Sequence, residues 1–336
     1  MKERNLTIDV AKGLTIILML VGHCDSISHG LFKLIFSFHM PLFFILSGYF
    51  FKQKNTRQLA KNDFRKLVVP YMMTIMATAL FATITPPISL NSFWHKILGG
   101  FYGCIGSYRM ILPSHTLNCH AGPEWFLLSI FWCRLYFNVL FQIKKEYYLL
   151  LSFALFLLFW LLGMLIVNIP LCIGSGFTGL LFYAMGVKLK EKGLTDYSWL
   201  QYGVFVFVWL FAAYYGSINM SQYNYMIGPG TMHNILSFPV SIMGALCGTL
   251  VICKISMMLK GGVKNTFAVI GTYTLEILCG HSIAFSCRSI FMNSLSLDVN
   301  DVLMRDVSLV FLSVLISIII VSFKTIRIRK KKINNI

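Results

Sequence analysis

Three ionisable residues near the N terminus have the spacing of one helical face. Asp9, Lys12 and His23 lie in or just after the apolar run that opens the chain. At about 100° per residue, His23 returns to within about 20° of the direction of Lys12, and Asp9 lies about 60° from Lys12. Asp9 and Lys12 can form an ion pair three residues apart, and His23 stands about 16 Å further along the helix. A histidine titrates near neutrality, so this face could perform general-base chemistry.

Two interpretations of this face are open from the spacing alone. Ionisable groups inside a membrane helix are costly and indicate function. Alternatively, Asp9 and Lys12 lie at the membrane interface and extend their charged ends into water, while His23 ends the helix among the headgroups.

A second histidine lies in the next apolar run. His39 is followed by Pro41, which loosens the first turn of a helix, and by Ser47 and Gly48, which permit close helix packing. Because this run enters from the opposite side, His39 is expected at a depth similar to that of His23. The two imidazoles either share a polar cavity, or His39 is a hydrogen-bonded packing residue.

Five residues further along the chain are candidates for substrate binding. Glu124 and Trp125 open an apolar run, where Glu124 either favours the helix dipole or binds a sugar or a histidine. Arg134 lies deeper in the same run and needs a partner. Glu276 and His281 diverge by about 140° on one helix, so they should face different neighbours. For each of these residues a structural role and a functional role are both open.

The composition predicts an all-α, polytopic membrane protein. The chain has 336 residues, of which 57% are hydrophobic and only 12% charged, with a mean hydropathy of +0.72. These values exclude an ordinary soluble enzyme and a disordered chain. About ten membrane helices are predicted, at Leu6–Gly22, Leu34–Phe51, Leu67–Thr83, Trp125–Ile143, Tyr147–Val167, Leu171–Val187, Trp199–Tyr215, Ile235–Ile252, Phe267–Phe285 and Val307–Phe323.

The charge distribution predicts the orientation of these helices. The net charge is +17, but the basic residues form short clusters between apolar runs, which argues against nucleic-acid binding. With both termini in the cytoplasm, most Lys and Arg residues fall in cytoplasmic segments. We therefore predict a multi-pass protein of the cytoplasmic membrane. Residues 1–324 form one integral-membrane domain, and residues 325–336 form a basic cytoplasmic tail that attracts anionic lipid.

One stretch does not fit a simple membrane helix. Residues 84–122 are rich in Gly and Pro and are interpreted as an extramembrane or re-entrant loop. Cys104 and Cys119 share this loop, and whether they pair is open. No C-x-x-C pair occurs, and neither a metal site nor a bound cofactor is expected.

The motifs of the first 50 residues resemble those of a known family. Ile8-Asp9-Val-Ala-Lys12-Gly-Leu followed by Val21-Gly-His23 is similar to the start of the membrane-bound acyltransferase-3 family. Phe38-His39-Met-Pro41-Leu-Phe-Phe-Ile-Leu-Ser47-Gly48 resembles the second helix of its fucose 4-O-acetylase-like branch. Weaker similarities are Glu124-Trp125-Phe-Leu and the segment from Gly271 through Glu276 to His281. Lys12 stands where many members of the family carry Arg, which keeps the charge but loses the bidentate fork.

The resemblance implies O-acylation, usually acetylation, of a sugar hydroxyl destined for the cell surface, with acyl-CoA as donor. It assigns His23 as the essential histidine and Lys12 and Asp9 as its basic and acidic partners. We hypothesise that His23 deprotonates the hydroxyl or briefly carries the acyl group. Lys12 would lie near the CoA phosphates or the thioester carbonyl, and Asp9 would hold Lys12.

Two other classes of function fit the same composition. A secondary transporter or flippase for a lipid-linked sugar also has many membrane helices with buried polar residues. No internal repeat and no matched pair of broken helices supports it. The third class is a non-catalytic membrane scaffold in a glycan-synthesis complex.

Overall fold

The computed structural model describes residues 5–85, 88–102, 108–109, 116–117, 122–165, 170–194, 196–219 and 237–333. This part of the chain is helical except for one short strand pair. The first seven α-helices are α1 Leu6–Gly22, α2 His29–Phe36, α3 His39–Tyr49, α4 Thr56–Asp63, α5 Val69–Ile84, α6 Leu90–Tyr102 and α7 Trp125–Ile143. The other eight are α8 Tyr148–Leu165, α9 Ile173–Thr178, α10 Leu180–Lys192, α11 Trp199–Asn219, α12 Ser237–Met258, α13 Gly261–Thr272, α14 Thr274–Ser294 and α15 Val302–Ile333.

Short elements complete this list. A π-helical turn, Phe64–Val68, joins α4 to α5, and 3₁₀ turns at Lys145–Tyr147 and Pro170–Cys172 precede α8 and α9. Strands β1 Tyr108–Arg109 and β2 Thr116–Leu117 pair antiparallel, with Tyr108 opposite Leu117.

The prediction of an all-α membrane protein is confirmed, but the number of spans is not. Six helical segments of the described chain are long and apolar enough to cross a membrane, or eight if each of two bent helix pairs counts as one span. The helix α1 has only 17 residues, and the apolar part of α11, Trp199–Tyr215, has the same length. Ten spans and cytoplasmic termini therefore stay predictions.

The boundaries of several predicted helices differ in the structure, as two examples show. The run predicted at Leu34–Phe51 begins earlier and is divided into α2 and α3, because the helix breaks at Ser37 and Phe38. The run predicted at Leu67–Thr83 is the end of a longer helical segment from Thr56 to Ile84, which also takes in the basic residues before it. Hydropathy misses this first part because charged side chains continue a helix as readily as apolar ones.

Two other predicted spans are bent. The pair α9 and α10 meets at 44°, and α13 and α14 meet at 71° around Tyr273. Helix α13 packs against α1 with almost no space between the backbones. A Cβ atom on Gly271 would overlap the carbonyl oxygen of Asp9, and one on Gly13 would overlap that of Phe267. The two glycines therefore fix the register of α1 on α13.

The region 84–122, predicted to be a loop, contains helix α6. Helix α6 lies along α5, and the Tyr71 hydroxyl in the first turn of α5 donates to the carbonyl of Gly100 near the end of α6. The chain thus folds back along α5, and the choice between an extramembrane and a re-entrant position stays a prediction. Cys104 and Cys119 lie outside the described residues.

The helix bundle has a basic end and an opposite end. The basic end contains the start of α1 together with Lys54 and Lys66. The opposite end contains the end of α1 and the start of α15. The large apolar core between them includes Ile16, Leu42, Phe44, Leu128 and Phe182.

Candidate functional site

Two histidines from distant parts of the chain meet toward the opposite end of the bundle. His23 follows the last residue of α1, and its ring lies 5.1 Å from the ring of His281 on α14, edge to face. Phe285, one turn after His281, contacts both rings. His281 is fully buried and His23 half-buried, so His23 faces protein on this side.

The third histidine is a neighbour of this pair through an aromatic ring. His39 begins α3 and is buried. The ring of Phe36 lies 5.4 Å from that of His23 and 4.6 Å from that of His39. The structure thus brings the two predicted histidines to one side of the bundle, with Phe36 against both, and it adds His281 as the direct partner of His23.

Hydrogen bonds assign the same tautomer to all three imidazoles. Nδ1 of His23 lies 2.8 Å from the carbonyl oxygen of Met19, and Nδ1 of His39 lies 3.1 Å from that of Ile35. A carbonyl only accepts, so each Nδ1 carries the proton.

His281 reaches the same tautomer through a hydroxyl. Its Nδ1 lies 3.1 Å from Oγ of Ser313, which already donates its single proton to the carbonyl of Leu309. That hydroxyl therefore accepts from His281. In the neutral rings each Nε2 keeps a free lone pair, which is the state that a general base requires.

A buried carboxylate lies beside this cluster. Glu124 precedes α7 and is completely buried, and its Oε2 accepts a 2.5 Å hydrogen bond from Ser282, the residue after His281. Its Oε1 and Nε2 of His281 are both buried and have no hydrogen-bond partner among the described residues. Both atoms are acceptors that a ligand with hydroxyl donors would satisfy.

Arg134 is held near the basic end by partners from two other helical segments. Its Nε donates to Oδ2 of Asp63 at 2.6 Å, and a second nitrogen lies 3.4 Å from Oδ1. Its third nitrogen donates to the hydroxyl of Ser47 at 3.2 Å. The expectation that this intramembrane charge has a partner is met by Asp63, the last residue of α4.

A cavity of about 370 Å³ runs from these groups into the bundle. Its cationic and polar wall is formed by Lys54, Lys66, Arg134, Asp63, Asn62, Ser47 and Thr274. Its apolar wall is formed by Ile16, Met19, Met40, Phe43, Leu67, Phe126, Leu127, Ile130, Leu275 and Leu278. A smaller cavity of about 150 Å³ adjoins Arg134 and Lys54 as well, together with Lys52 and Tyr183.

The apolar wall contains sequence neighbours of the histidine cluster. The carbonyl of Met19 accepts the hydrogen bond from Nδ1 of His23. Met40 follows His39 directly, Phe126 lies two residues after Glu124, and Leu278 is one turn before Ser282. The three histidines and Glu124 are not among the lining residues, so the cavity holds cations at the basic end and approaches the cluster only through these neighbours.

Asp9 and Lys12 form the predicted ion pair, with 2.7 Å between Nζ and the carboxylate. Asp9 is buried and Lys12 is partly exposed. Neither lines the cavity; α1 contributes Ile16 and Met19 instead. Ile16 is one turn after Lys12, and Met19 is one turn before His23, so the cavity wall lies between the two ends of the predicted face. The catalytic roles of Asp9, Lys12 and His23 stay predictions.

The remaining two candidates are not in the cluster. Glu276 is buried and pairs with Lys324, whereas His281 bonds to Ser313. Both partners lie on α15, so the two residues contact the same neighbouring helix at different levels. Trp125 is buried at the start of α7, with its ring edge-on to that of Phe126, a cavity residue. Among the described residues, Glu276 and Trp125 make no contact with the three histidines that would give them a part in proton transfer.

The sequence does not predict a role for three polar residues of this region. Asp63 lies in a segment predicted to be a cytoplasmic loop, and Ser282 and Ser313 are ordinary residues of apolar helices. Only their contacts with Arg134, Glu124 and His281 give them a role, and the sequence carries no signal for those contacts beyond the need of a buried charge for a partner.

A thiol next to His23 is kept in its neutral form. Cys24 lies between α1 and α2, where burial raises the pKa of its thiol above the ordinary value. The nearby carboxylates of Asp306 and Asp25 raise this pKa further, and Arg288 opposes them. The thiol therefore stays protonated at neutral pH and does not compete as a nucleophile with the adjacent imidazole.

Comparison with known proteins gives one match. The model of an acyltransferase family, acyltransferase-3, matches residues 5–322, nearly the whole chain. No curated protein and no solved structure matches the chain.

Proposed function

Because this chain belongs to the acyltransferase-3 family and is thereby a membrane acyltransferase, we propose that it transfers an acyl group, specifically acetyl, from acyl-CoA to a sugar hydroxyl. The acceptor is a cell-surface polysaccharide or its lipid-linked precursor, and the protein lies in the cytoplasmic membrane. The cavity between the basic end and the histidine cluster carries this proposal. The assignment to the fucose 4-O-acetylase-like branch stays a prediction.

The donor enters from the basic end. Lys54, Lys66 and Arg134 give the mouth of the cavity more positive than negative charge, with Asp63 as the carboxylate that orients the guanidinium. Phosphate groups of CoA suit such a mouth, because cations bind them by charge and by hydrogen bonds. The apolar wall beyond the mouth suits the uncharged thioester arm. Lys12, one turn from this wall, adds a cation held by Asp9.

The acceptor hydroxyl meets the histidine cluster. Nδ1 of His23 donates its proton to the carbonyl of Met19 in a hydrogen bond, so Nε2 is the atom that accepts the proton of the acceptor hydroxyl. The unpaired acceptors on Glu124 and His281 favour a ligand with several hydroxyl donors, as a sugar has. His39, with Nδ1 committed to Ile35, offers a further acceptor on the same side.

The reaction balances with His23 as the only proton carrier. Nε2 of His23 removes the hydroxyl proton while the hydroxyl oxygen forms a bond to the thioester carbonyl carbon. The bond between that carbon and sulfur breaks, and the CoA thiolate takes the proton from Nε2. The products are the sugar ester and CoA, and the imidazole returns to its starting tautomer.

The test uses purified protein in lipid nanodiscs with radiolabelled acetyl-CoA and a panel of free and lipid-linked sugars. Labelled ester and free CoA thiol should appear together with the wild-type protein. His23→Gln should lower the rate by about 100-fold or more, because a general base contributes that much. His29→Gln is the matched control, since His29 is an exposed histidine on α2.

Two outcomes would contradict the proposal. Wild-type rates in His23→Gln would remove the assigned base. Sugar transport into sealed vesicles without label in any ester would favour the transporter alternative. In cells, deletion of the protein should remove ester signals from the NMR spectrum of the surface glycan.

A further inference from the structure

The end of α1 is held by a cluster of four charged side chains that the reaction itself does not use. Oδ1 of Asp306 accepts from the backbone N–H of Asp25 at 2.6 Å, and Oδ2 accepts from that of Ser26 at 2.9 Å. The carboxylate of Asp25 in turn lies 3.3 Å from Arg288 and 3.1 Å from Arg305. We call Asp25, Asp306, Arg288 and Arg305 the clamp.

The clamp supplies hydrogen bonds to backbone N–H groups that lie beyond the end of α1. Helix α1 ends at Gly22, and the N–H groups of His23 and Cys24 still bond back to α1. The next two N–H groups have left the helix and would be free to fray. One buried carboxylate accepts hydrogen bonds from both of them, and it belongs to a residue 281 and 280 positions later in the chain.

The clamp also ties His23 to the helix that carries His281. Arg288 lies on α14, and its guanidinium is 5.8 Å from the ring centroid of Phe285. That ring contacts both His23 and His281. Arg305 and Asp306 lie on α15, which supplies the hydroxyl of Ser313 to His281. The ends of three helices are thus joined around the histidine pair.

The clamp has no net charge. This favours a role in fixing the chain after α1 over a role in binding an anion. Two carboxylates face two guanidinium groups; Asp306 is buried, Arg288 and Arg305 are partly exposed, and Asp25 is exposed. Charge-assisted hydrogen bonds between partly buried groups are stronger and more directional than exposed ion pairs. Ordering four charged side chains costs conformational entropy, and such a cluster is expected where an adjacent side chain, here that of His23, must be held in place.

We propose that Asp306 is a positioning residue that holds His23 against His281 through the backbone of Asp25 and Ser26, with Arg288 and Arg305 securing the same loop. This inference rests on the proposed function for its catalytic meaning. None of the four clamp residues lines the donor cavity, to which α1 contributes Ile16 and Met19. Loss of the clamp should therefore change the turnover of bound donor and leave donor affinity intact.

The experiment compares Asp306→Asn with Asp306→Glu and with the control Asp298→Asn. Asp298 is an exposed residue of the same end, and its carboxylate accepts a hydrogen bond from the backbone N–H of Asn300. Asp306→Asn should lower kcat by about 10- to 100-fold with an unchanged donor KM, since a misplacement of 1 Å costs this much. Asp306→Glu keeps the charge and should recover part of kcat. Arg305→Gln, which leaves both bonds of Asp306 in place, should give a smaller loss of kcat.

A second measurement is independent of turnover. Carbethoxylation of histidines by diethyl pyrocarbonate, followed by mass spectrometry, should proceed faster at His23 in Asp306→Asn than in wild type, with His29 as internal reference. If kcat and the rate at His23 in Asp306→Asn equal those of Asp298→Asn, the positioning role is wrong. If wild type transfers no acyl group but Asp306→Asn exposes His23, the clamp stands and the proposed function falls.

Discussion

The contact between α1 and α13 allows a sharp test of how the cavity is assembled. In Gly271→Ala the new Cβ would lie far inside the 3.0 Å that real Cβ atoms keep from a carbonyl oxygen, here that of Asp9. Ordinary contact begins at 3.4 Å, so the backbones must separate by about 1.5 Å. The side chain added is only a methyl group, but the atom it meets is backbone and cannot rotate away.

Separating α1 from α13 should displace residues that line the cavity. Thr274 and Leu275, three and four residues after Gly271, line it opposite Ile16 and Met19 of α1. Overpacking of this kind costs about 1–3 kcal/mol in stability. Because a reacting group misplaced by 1 Å loses about 100-fold in rate, we expect a comparable fall in kcat/KM for the donor.

The assay is donor-dependent CoA release together with the thermal unfolding temperature in the same nanodiscs. Gly262→Ala is the control, because a Cβ at this position of the same helix meets no atom within 4 Å. It should leave activity unchanged, since alanine favours a helix more than glycine does. Full activity in Gly271→Ala would show that the close packing of α1 on α13 does not set the cavity.

Two further predictions concern charged and nucleophilic groups. Arg134→Gln leaves Asp63 buried without its partner, so it should lower stability by about 3 kcal/mol and raise the donor KM; adding Asp63→Asn should restore the unfolding temperature but not the KM. Cys24→Ser should keep wild-type turnover, because the raised pKa keeps the thiol protonated. Iodoacetamide should alkylate Cys24 with a midpoint pH above that of the unfolded chain, as measured by mass spectrometry, and an equal or lower midpoint would contradict the electrostatic reasoning.

The sequence predicts the helical segments well and their interruptions poorly. Long apolar runs have no alternative to helix in a membrane, because every backbone N–H and C=O needs an internal partner. The break at Ser37, the bend at Tyr273 and the backward course of α6 depend on what packs beside them. Leu171 and Cys172 adopt positive φ before α9 although neither is glycine, a conformation that no local preference indicates.

The sequence also predicts one part of the candidate site and not the other. The spacing of Asp9, Lys12 and His23 predicts their common face and the ion pair, since both follow from the geometry of a single helix. The contact of His23 with His281 joins residues far apart in sequence, and no periodicity encodes it. A histidine in an apolar run of the sequence indicates a candidate functional residue, but it does not indicate which residue lies against it.

Met19 lies where the two halves of the proposed reaction would meet on α1. It lines the cavity, and its carbonyl accepts the hydrogen bond from Nδ1 of His23. A helix places the carbonyl of one residue beside the side chain four positions later, so one turn of α1 supplies part of the cavity wall and sets the tautomer of His23. In the proposed reaction, donor binding and general-base catalysis would therefore both depend on the position of this turn. That position is fixed from two sides, by the packing of Asp9 and Gly13 against α13 and by the hydrogen bonds of Asp306 to the chain that follows α1.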